Sequence, residues 1–157
     1  MEERRKKKER NAIEEHHFNR LVRLLERLRN GIELLYYLLD HYHGDAFVVA
    51  LISAREIDLV DHIQMQKRKT DILYEIDASE NLYALLCQGT GVDGGYYFIQ
   101  RLVQTLQERG GKSIYCSELE ISSSRYPIFE IVSRLDKMYQ RAREHNADGE
   151  ISFYALD

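Results

Sequence analysis

Apolar residues in the first third of the chain recur at intervals of three and four. Phe18, Leu21, Leu25, Leu28, Ile32, Leu35, Leu39 and Tyr42 form the series, the spacing of a helix with one continuous apolar seam. This spacing predicts a long amphipathic, coiled-coil-like helix over residues 13–43. A second stripe of Val22, Leu24, Leu34 and Leu38 widens the face beyond a two-stranded seam. Such a face serves either a second copy of the helix or the chain's own core. The expectation is a homodimer through this helix, with packing on the chain's own domain as the alternative. Gly31 interrupts the pattern at a cost of about 1 kcal/mol relative to alanine, which predicts a bend near Asn30-Gly31. Upstream, Met1–Arg10 (MEERRKKKER) is a dense charge cluster, and residues 1–12 are expected to be disordered.

Beyond Gly44 the pattern changes to α/β. Ala46–Ile52 (AFVVALI) is a continuous β-branched apolar run, the signature of a strand covered on both faces. Glu56–Gln66 reads as a helix. Ile72–Ile76 and Leu82–Cys87 read as a hairpin around a polar turn at Asp77–Asn81. A glycine-rich loop (Gly89, Gly91, Gly94, Gly95) follows, then a helix over Tyr96–Glu108 that Gly110-Gly111 ends. Ser113–Leu119 reads as a strand, Ile128–Glu144 as a helix introduced by Pro127, and Glu150–Tyr154 as a last strand. The fold class is therefore α/β (α+β), with the order β-α-β-β-α-β-α-β on a ferredoxin-like, palm-type core. This core, over residues 44–157, follows the long helix.

Composition narrows the function classes. The chain has 157 residues, enough for one domain with a core of its own, and a formal net charge of −4. That balance argues against a binder of nucleic acid polymers. No apolar run approaches the roughly 18–20 residues that cross a bilayer, and the charged start does not resemble a signal peptide. Cys87 and Cys116 sit in apolar strand-like runs and read as buried thiols of a cytoplasmic protein.

The chemistry concentrates in Arg68-Lys69-Thr70-Asp71. A guanidinium can fork onto phosphate oxygens or onto the O6/N7 edge of guanine, and a carboxylate can accept from the N1 and N2 hydrogens of the same base. Alone, such a pair also describes solvated surface charge; its place beside the hairpin gives it weight. Other candidates read as structural. His41 and His43, with Asp45, have metal-ligand chemistry but suit the C-terminal end of a helix dipole. His16 and His17 are adjacent and diverge on a helix. GTGVDGG at residues 89–95 lacks the Lys-Ser/Thr of a phosphate loop. Ser122–Ser124 has no base beside it in sequence.

The last third resembles the C-terminal end of a GGDEF domain, the bacterial diguanylate cyclase module. LDKMYQRAREH (Leu135–His145) is similar to that family's A-D-x-A-[LM]-Y-x-A-K-x-x-G helix, and TDILYEIDASENLYALL to its signature hairpin. Asn30 is a faint match to the entry motif L-x-N-R. Against this pattern the chain reads Ala78-Ser79-Glu80-Asn81-Leu82 in place of GG[DE]EF, so both glycines are gone. Ser53-Ala54 stands where a metal-binding aspartate ends the first strand. The connection from Ser53 to Lys67 leaves no room for the family's two helices and their guanine-reading Asn and Asp. Phosphoryl transfer needs metal ions bridging the phosphates, and Glu80 alone does not make a two-metal site.

The resemblance implies a degenerate, non-enzymatic domain that retains the family's inhibitory site for cyclic di-GMP. That site is an RxxD box five residues before the signature turn, plus an arginine on the next helix. The matching positions are Arg68, Asp71 and Arg101. Aligning Leu82 with the signature phenylalanine requires one extra residue in the hairpin. A catalytically silent GGDEF domain with this box is similar to the receptor subunits of Pel-type exopolysaccharide secretion systems. The implied function is a cyclic di-GMP receptor regulating such secretion or biofilm formation, with no cofactor and with a protein partner in the secretion complex. A ligand-independent scaffold is the alternative. Whether the chain stands alone or is the cytosolic part of a membrane receptor stays open.

Overall fold

A computed structural model describes residues 1–42, 46–89 and 92–156, with the backbone alone at 92–94. In chain order the elements are α1 (Glu2–Tyr42), β1 (Phe47–Arg55), α2 (Leu59–Gln66), β2 (Ile72–Asp77), β3 (Leu82–Cys87), α3 (Val92–Glu108), β4 (Lys112–Ile121), α4 (Ile128–Glu144) and β5 (Ile151–Leu156). The strands form one sheet ordered β2-β3-β1-β4-β5. β1 pairs antiparallel with β3 and β4, β2 pairs antiparallel with β3, and β5 lies parallel to β4. The first four strands thus make the ferredoxin-like arrangement, and β5 extends it.

Because strand side chains alternate between faces, β1 feeds two cores. Phe47, Val49 and Leu51 point toward α1 and α4, where Leu24, Leu28, Ile32, Leu135 and Tyr139 meet them. Val48, Ala50 and Ile52 point toward α2 and α3, meeting Leu59, Ile63, Ile99, Leu102 and Leu106. Full burial of each large apolar side chain stabilises by about 1.5–3 kcal/mol, so the central strand is held from both sides. This is why its run of apolar residues is unbroken.

The long helix differs from expectation in three ways. It starts at Glu2 rather than near residue 13, and the charged segment expected to be disordered is helical and exposed. Glu2 and Glu3 favour the helix N-terminus, and the i,i+4 pairs Arg5–Glu9 (3.2 Å) and Lys6–Glu2 (3.7 Å) support its first turns. The helix runs unbroken through Gly31. A Cβ there would lie 2.5 Å from Leu86 Cδ1 and 2.6 Å from the Tyr74 hydroxyl; glycine lets the helix approach the sheet. The seam is also largely used within the chain. Leu28, Ile32 and Leu35 are buried on the chain's own core and Leu21, Leu25 and Leu39 pack against it, while Phe18 and Tyr42 are exposed.

Side chains lock α1 in place. Arg20 Nε donates to Asp136 Oδ1 at 2.6 Å and its Nη2 to Gln140 Oε1 at 3.0 Å. Arg23 Nη1 reaches Asp77 Oδ2 at 3.1 Å. Elsewhere the boundaries shift by a few residues. α2 begins at Leu59, after Glu56 takes a left-handed φ of 59° and Asp58 caps the helix by accepting from the Asp61 N–H. α3 begins at Val92, so the glycine-rich stretch partly joins it. The extra hairpin residue is taken up by a bulge between Glu75 and Asp77, opposite Tyr83 and Leu82. No helix among the described residues is long and apolar enough to cross a membrane.

Candidate functional site

The Arg68–Asp71 box lies in the connection between α2 and β2. α2 stops because Lys67 turns extended (φ −69°, ψ 151°) while its N–H still donates to Ile63 O. The Asp71 N–H then donates to Arg68 O at 3.1 Å, closing a tight turn. Within it, Asp71 Oδ2 accepts from the Arg68 backbone N–H at 2.9 Å, and Oδ1 accepts from Arg68 Nη2 at 3.0 Å. Asp71 is buried, with 1% of its side chain exposed, whereas Arg68 is 48% exposed. The bond to Asp71 pushes the proton affinity of the guanidinium further up. Arg68 Nη2 also donates to Gln88 O at 2.8 Å. Asp71 therefore acts mainly as a clamp on Arg68. The sequence pattern offers Asp71 as an acceptor for a guanine base; in the fold both of its oxygens are engaged by Arg68.

Arg101 stands on α3, exposed, and its guanidinium has no hydrogen bond or ion pair among the described residues. Arg68, Asp71 and Arg101 line one cleft of about 140 Å³ together with Gln66, Cys87, Gly95 and Phe98. The fold brings the three predicted residues together from a loop and a helix 30 positions apart in the chain. Cys87 and Phe98 give the cleft an apolar floor. Burial, then the Asp71 and Glu118 charges, push the Cys87 thiol up to about 12; it stays protonated and unreactive.

Four lining residues escaped sequence reasoning. Phe98 carried a signal, since it precedes Arg101 by three and shares its helix face. Gln66, Cys87 and Gly95 carried none until the tertiary contacts formed. Beneath the first turns of α3, next to Gly95 and outside the cleft lining, lies Glu118 of β4. It is fully buried, and neither carboxylate oxygen has a hydrogen-bond partner among the described residues. Burial, and after it the Glu120 charge, raises its pKa to about 7.

The opposite end of the sheet, where the GGDEF resemblance would place catalysis, is closed by side chains. Ser53 Oγ and the Tyr139 hydroxyl are 2.7 Å apart. Arg143 and His16 each approach Glu80 at 3.6 Å. Asn81 Nδ2 donates to Ala54 O (2.8 Å) and Ile57 O (3.1 Å), tying the turn to the end of β1. The space left among Ser53, Glu80, Tyr139 and Arg143 is about 20 Å³. No three His, Cys, Asp or Glu side chains converge as a metal-ligand group among the described residues.

The remaining candidates are placed as follows. His16 and His17 both border a hollow of about 440 Å³ between α1 and α4. Burial, then Arg20, lowers the His17 pKa. His41 Nδ1 lies 2.9 Å from Tyr37 O, and its ring stacks on Tyr37 at 4.0 Å; His43 and Asp45 lie outside the described residues, as do Thr90 and Gly91 of the glycine-rich loop. Cys87 and Cys116 are buried, and no disulfide joins them.

Comparison with known proteins places this architecture. No family model matches the sequence, and no curated protein matches it. Solved structures do match. A microbial GGDEF domain studied in its interaction with cyclic di-GMP aligns with TM-score 0.63 at 12% identity, over 83% of this chain and 96% of its own. The active GGEEF domain of a diguanylate cyclase from Vibrio cholerae aligns with TM-score 0.60 at 11% identity, over 79% and 92%. The diguanylate cyclase SiaD of Pseudomonas aeruginosa, solved with its activator SiaC, aligns with TM-score 0.59 at 12% identity over 98% of this chain, α1 included, and 71% of its own. At such identities the likeness is one of fold: the chain has the fold of a GGDEF domain.

Proposed function

We propose that this chain is a non-catalytic receptor for cyclic di-GMP, read out through Arg68 and Arg101, with Asp71 holding Arg68 in place. The single observation that carries the reading is the convergence of these three residues on one cleft. Two guanidinium groups, one clamped and one uncommitted, suit a ligand with two phosphodiesters and two guanines. A cleft of about 140 Å³ is smaller than the roughly 300–1,000 Å³ usual for small-molecule sites. The dinucleotide would therefore place one base or phosphate in the cleft and lie across its rim. The interaction described for the GGDEF neighbour with cyclic di-GMP supports the ligand class.

The closed face supports the non-catalytic half of the proposal. A two-metal phosphoryl transfer needs converging carboxylates and space for a triphosphate. Here Glu80 is paired with Arg143 and His16, and a serine–tyrosine contact fills the end of β1. By its resemblance to Pel-type receptors, the chain would regulate exopolysaccharide secretion or biofilm formation through a protein partner, as a homodimer. The exposed start of α1, with Phe18 beyond it, offers surface for that assembly.

Calorimetric titration with cyclic di-GMP tests the ligand claim. Binding at low micromolar affinity, abolished by Arg68→Ala and weakened at least tenfold by Arg101→Ala, is expected. No heat up to high micromolar ligand refutes it and leaves a ligand-independent interaction scaffold, a reading that the small cleft volume favours. Conversion of GTP and magnesium to cyclic di-GMP would refute the non-catalytic claim.

A further inference from the structure

Glu118 is a fully buried acid whose two oxygens have no hydrogen-bond partner among the described residues. An ionised carboxylate in such a place is opposed by desolvation and a neutral one is tolerated. Its position relates it to the cleft. A Cβ built on Gly95, a cleft-lining residue, would lie 3.1 Å from Glu118 Oε1. Cys87, another lining residue, is electrostatically sensitive to both Glu118 and Asp71. Gly95 thus adjoins both the cleft and the buried acid.

We infer that occupation of the Arg68–Arg101 cleft by an anionic phosphodiester is coupled to uptake of a proton by Glu118, so that acidification tightens binding. The inference rests on reading the cleft as the cyclic di-GMP site. Charge balance gives the direction. When Glu118 is ionised its field opposes an incoming phosphate; when it is neutral the two arginines face the phosphate without that opposition. Equally, a bound phosphate makes ionisation of Glu118 harder, because the coupling is reciprocal.

The charged and titratable groups facing Glu118 do not supply the effect themselves. Glu120 is its neighbour on the same face of β4, and Cys116 lies beside it on the strand, buried and held protonated far above neutrality. Across the sheet β1 presents Val48 and Ala50, and β5 presents Phe153. From α3 comes Tyr96, whose ring packs on Phe153. Arg68, Asp71 and Arg101 are the charged groups of the cleft that Gly95 also lines. No histidine lines the cleft, so Glu118, whose pKa stands near 7, is the group placed to titrate around neutrality.

The experiment is calorimetry with cyclic di-GMP at pH 6 and pH 8, repeated in buffers of different ionisation enthalpy, on the wild type and on Glu118→Gln. A displacement of one pKa unit on binding corresponds to about a tenfold change in affinity. With that displacement from a pKa near 7, the wild type is expected to bind about fivefold more tightly at pH 6 than at pH 8, with net proton uptake; Glu118→Gln should bind with the same affinity at both. Equal wild-type affinity at the two pH values, or an undiminished pH slope in the variant, overturns the coupling while leaving the ligand assignment intact. Absence of binding at both pH values overturns the ligand assignment and the coupling with it. The wild-type measurement needs no substitution, and Glu118→Leu, which removes the acid without leaving a buried amide, is the second variant should Gln fold poorly.

Discussion

Replacing Arg20 with alanine removes one half of a buried ion pair and leaves the other half stranded. Arg20 retains 4% of its side-chain exposure and Asp136 12%, and Nε and Oδ1 are 2.6 Å apart. Asp136 would keep its charge without its guanidinium, the situation that costs about 3–5 kcal/mol in buried pairs. The guanidinium also lies over the Tyr139 ring at 5.3 Å and reaches Gln140, so the upper half of that range is expected. For a chain of this length each kcal/mol shifts Tm by about 2–4 °C, giving a fall of about 8–20 °C. Removing both charges tells the two costs apart. Arg20→Met with Asp136→Leu leaves no buried charge, and such replacements are often neutral or stabilising, so the double variant should recover most of the loss. Urea unfolding followed by far-UV circular dichroism, with the denaturant slope checked for constancy, gives both numbers. A loss below about 1 kcal/mol for Arg20→Ala, the range of exposed pairs, would refute the reasoning: the pair would be solvated and α1 not anchored through it.

Three further predictions follow from individual side chains. Arg101→Ala should change stability by less than about 0.5 kcal/mol, as for an exposed group without partners, whereas Asp71→Asn should lower both stability and cyclic di-GMP affinity; urea melts and calorimetry on both variants separate a contact residue from a clamp. Glu118 binds its proton more tightly folded than unfolded, with a pKa near 7 against an ordinary 4.5. The unfolded chain therefore loses that proton first, and stability should fall as pH rises from about 4.5 to 7, by about 3 kcal/mol in total; Glu118→Gln should flatten this component in melts run across that range. Cys87 and Cys116 are buried with thiols pushed up, so iodoacetamide at pH 8 should label neither in native protein and both in urea. Rapid native labelling of Cys87 would show that the cleft floor opens.

Much of this protein was legible in its sequence because the signals are local. β1 reads as a doubly covered strand from its own run of apolar residues, and the full order of strands and helices after α1 follows from periodicity and turn residues. Arg68 and Asp71 are three apart, so their clamp forms within one turn, and the GGDEF-like hairpin and α4 could be matched by pattern. What tertiary structure decided depends on which faces meet. The heptad-like stripe of α1 states that a face must be buried and not by what; packing against the sheet and α4 buries much of it within the chain. Gly31 costs helix propensity in sequence and appears as a weak point, yet its missing Cβ is what admits Leu86 and Tyr74. Arg101 joins Arg68 only because α3 lies across the sheet beside the α2–β2 connection. Glu118 alternates with apolar neighbours as a solvent-facing strand residue would, and α3 is what seals it in. Local spacing fixes the elements, but only packing turns a glutamate in an alternating strand pattern into a buried acid beside the Arg68–Arg101 cleft.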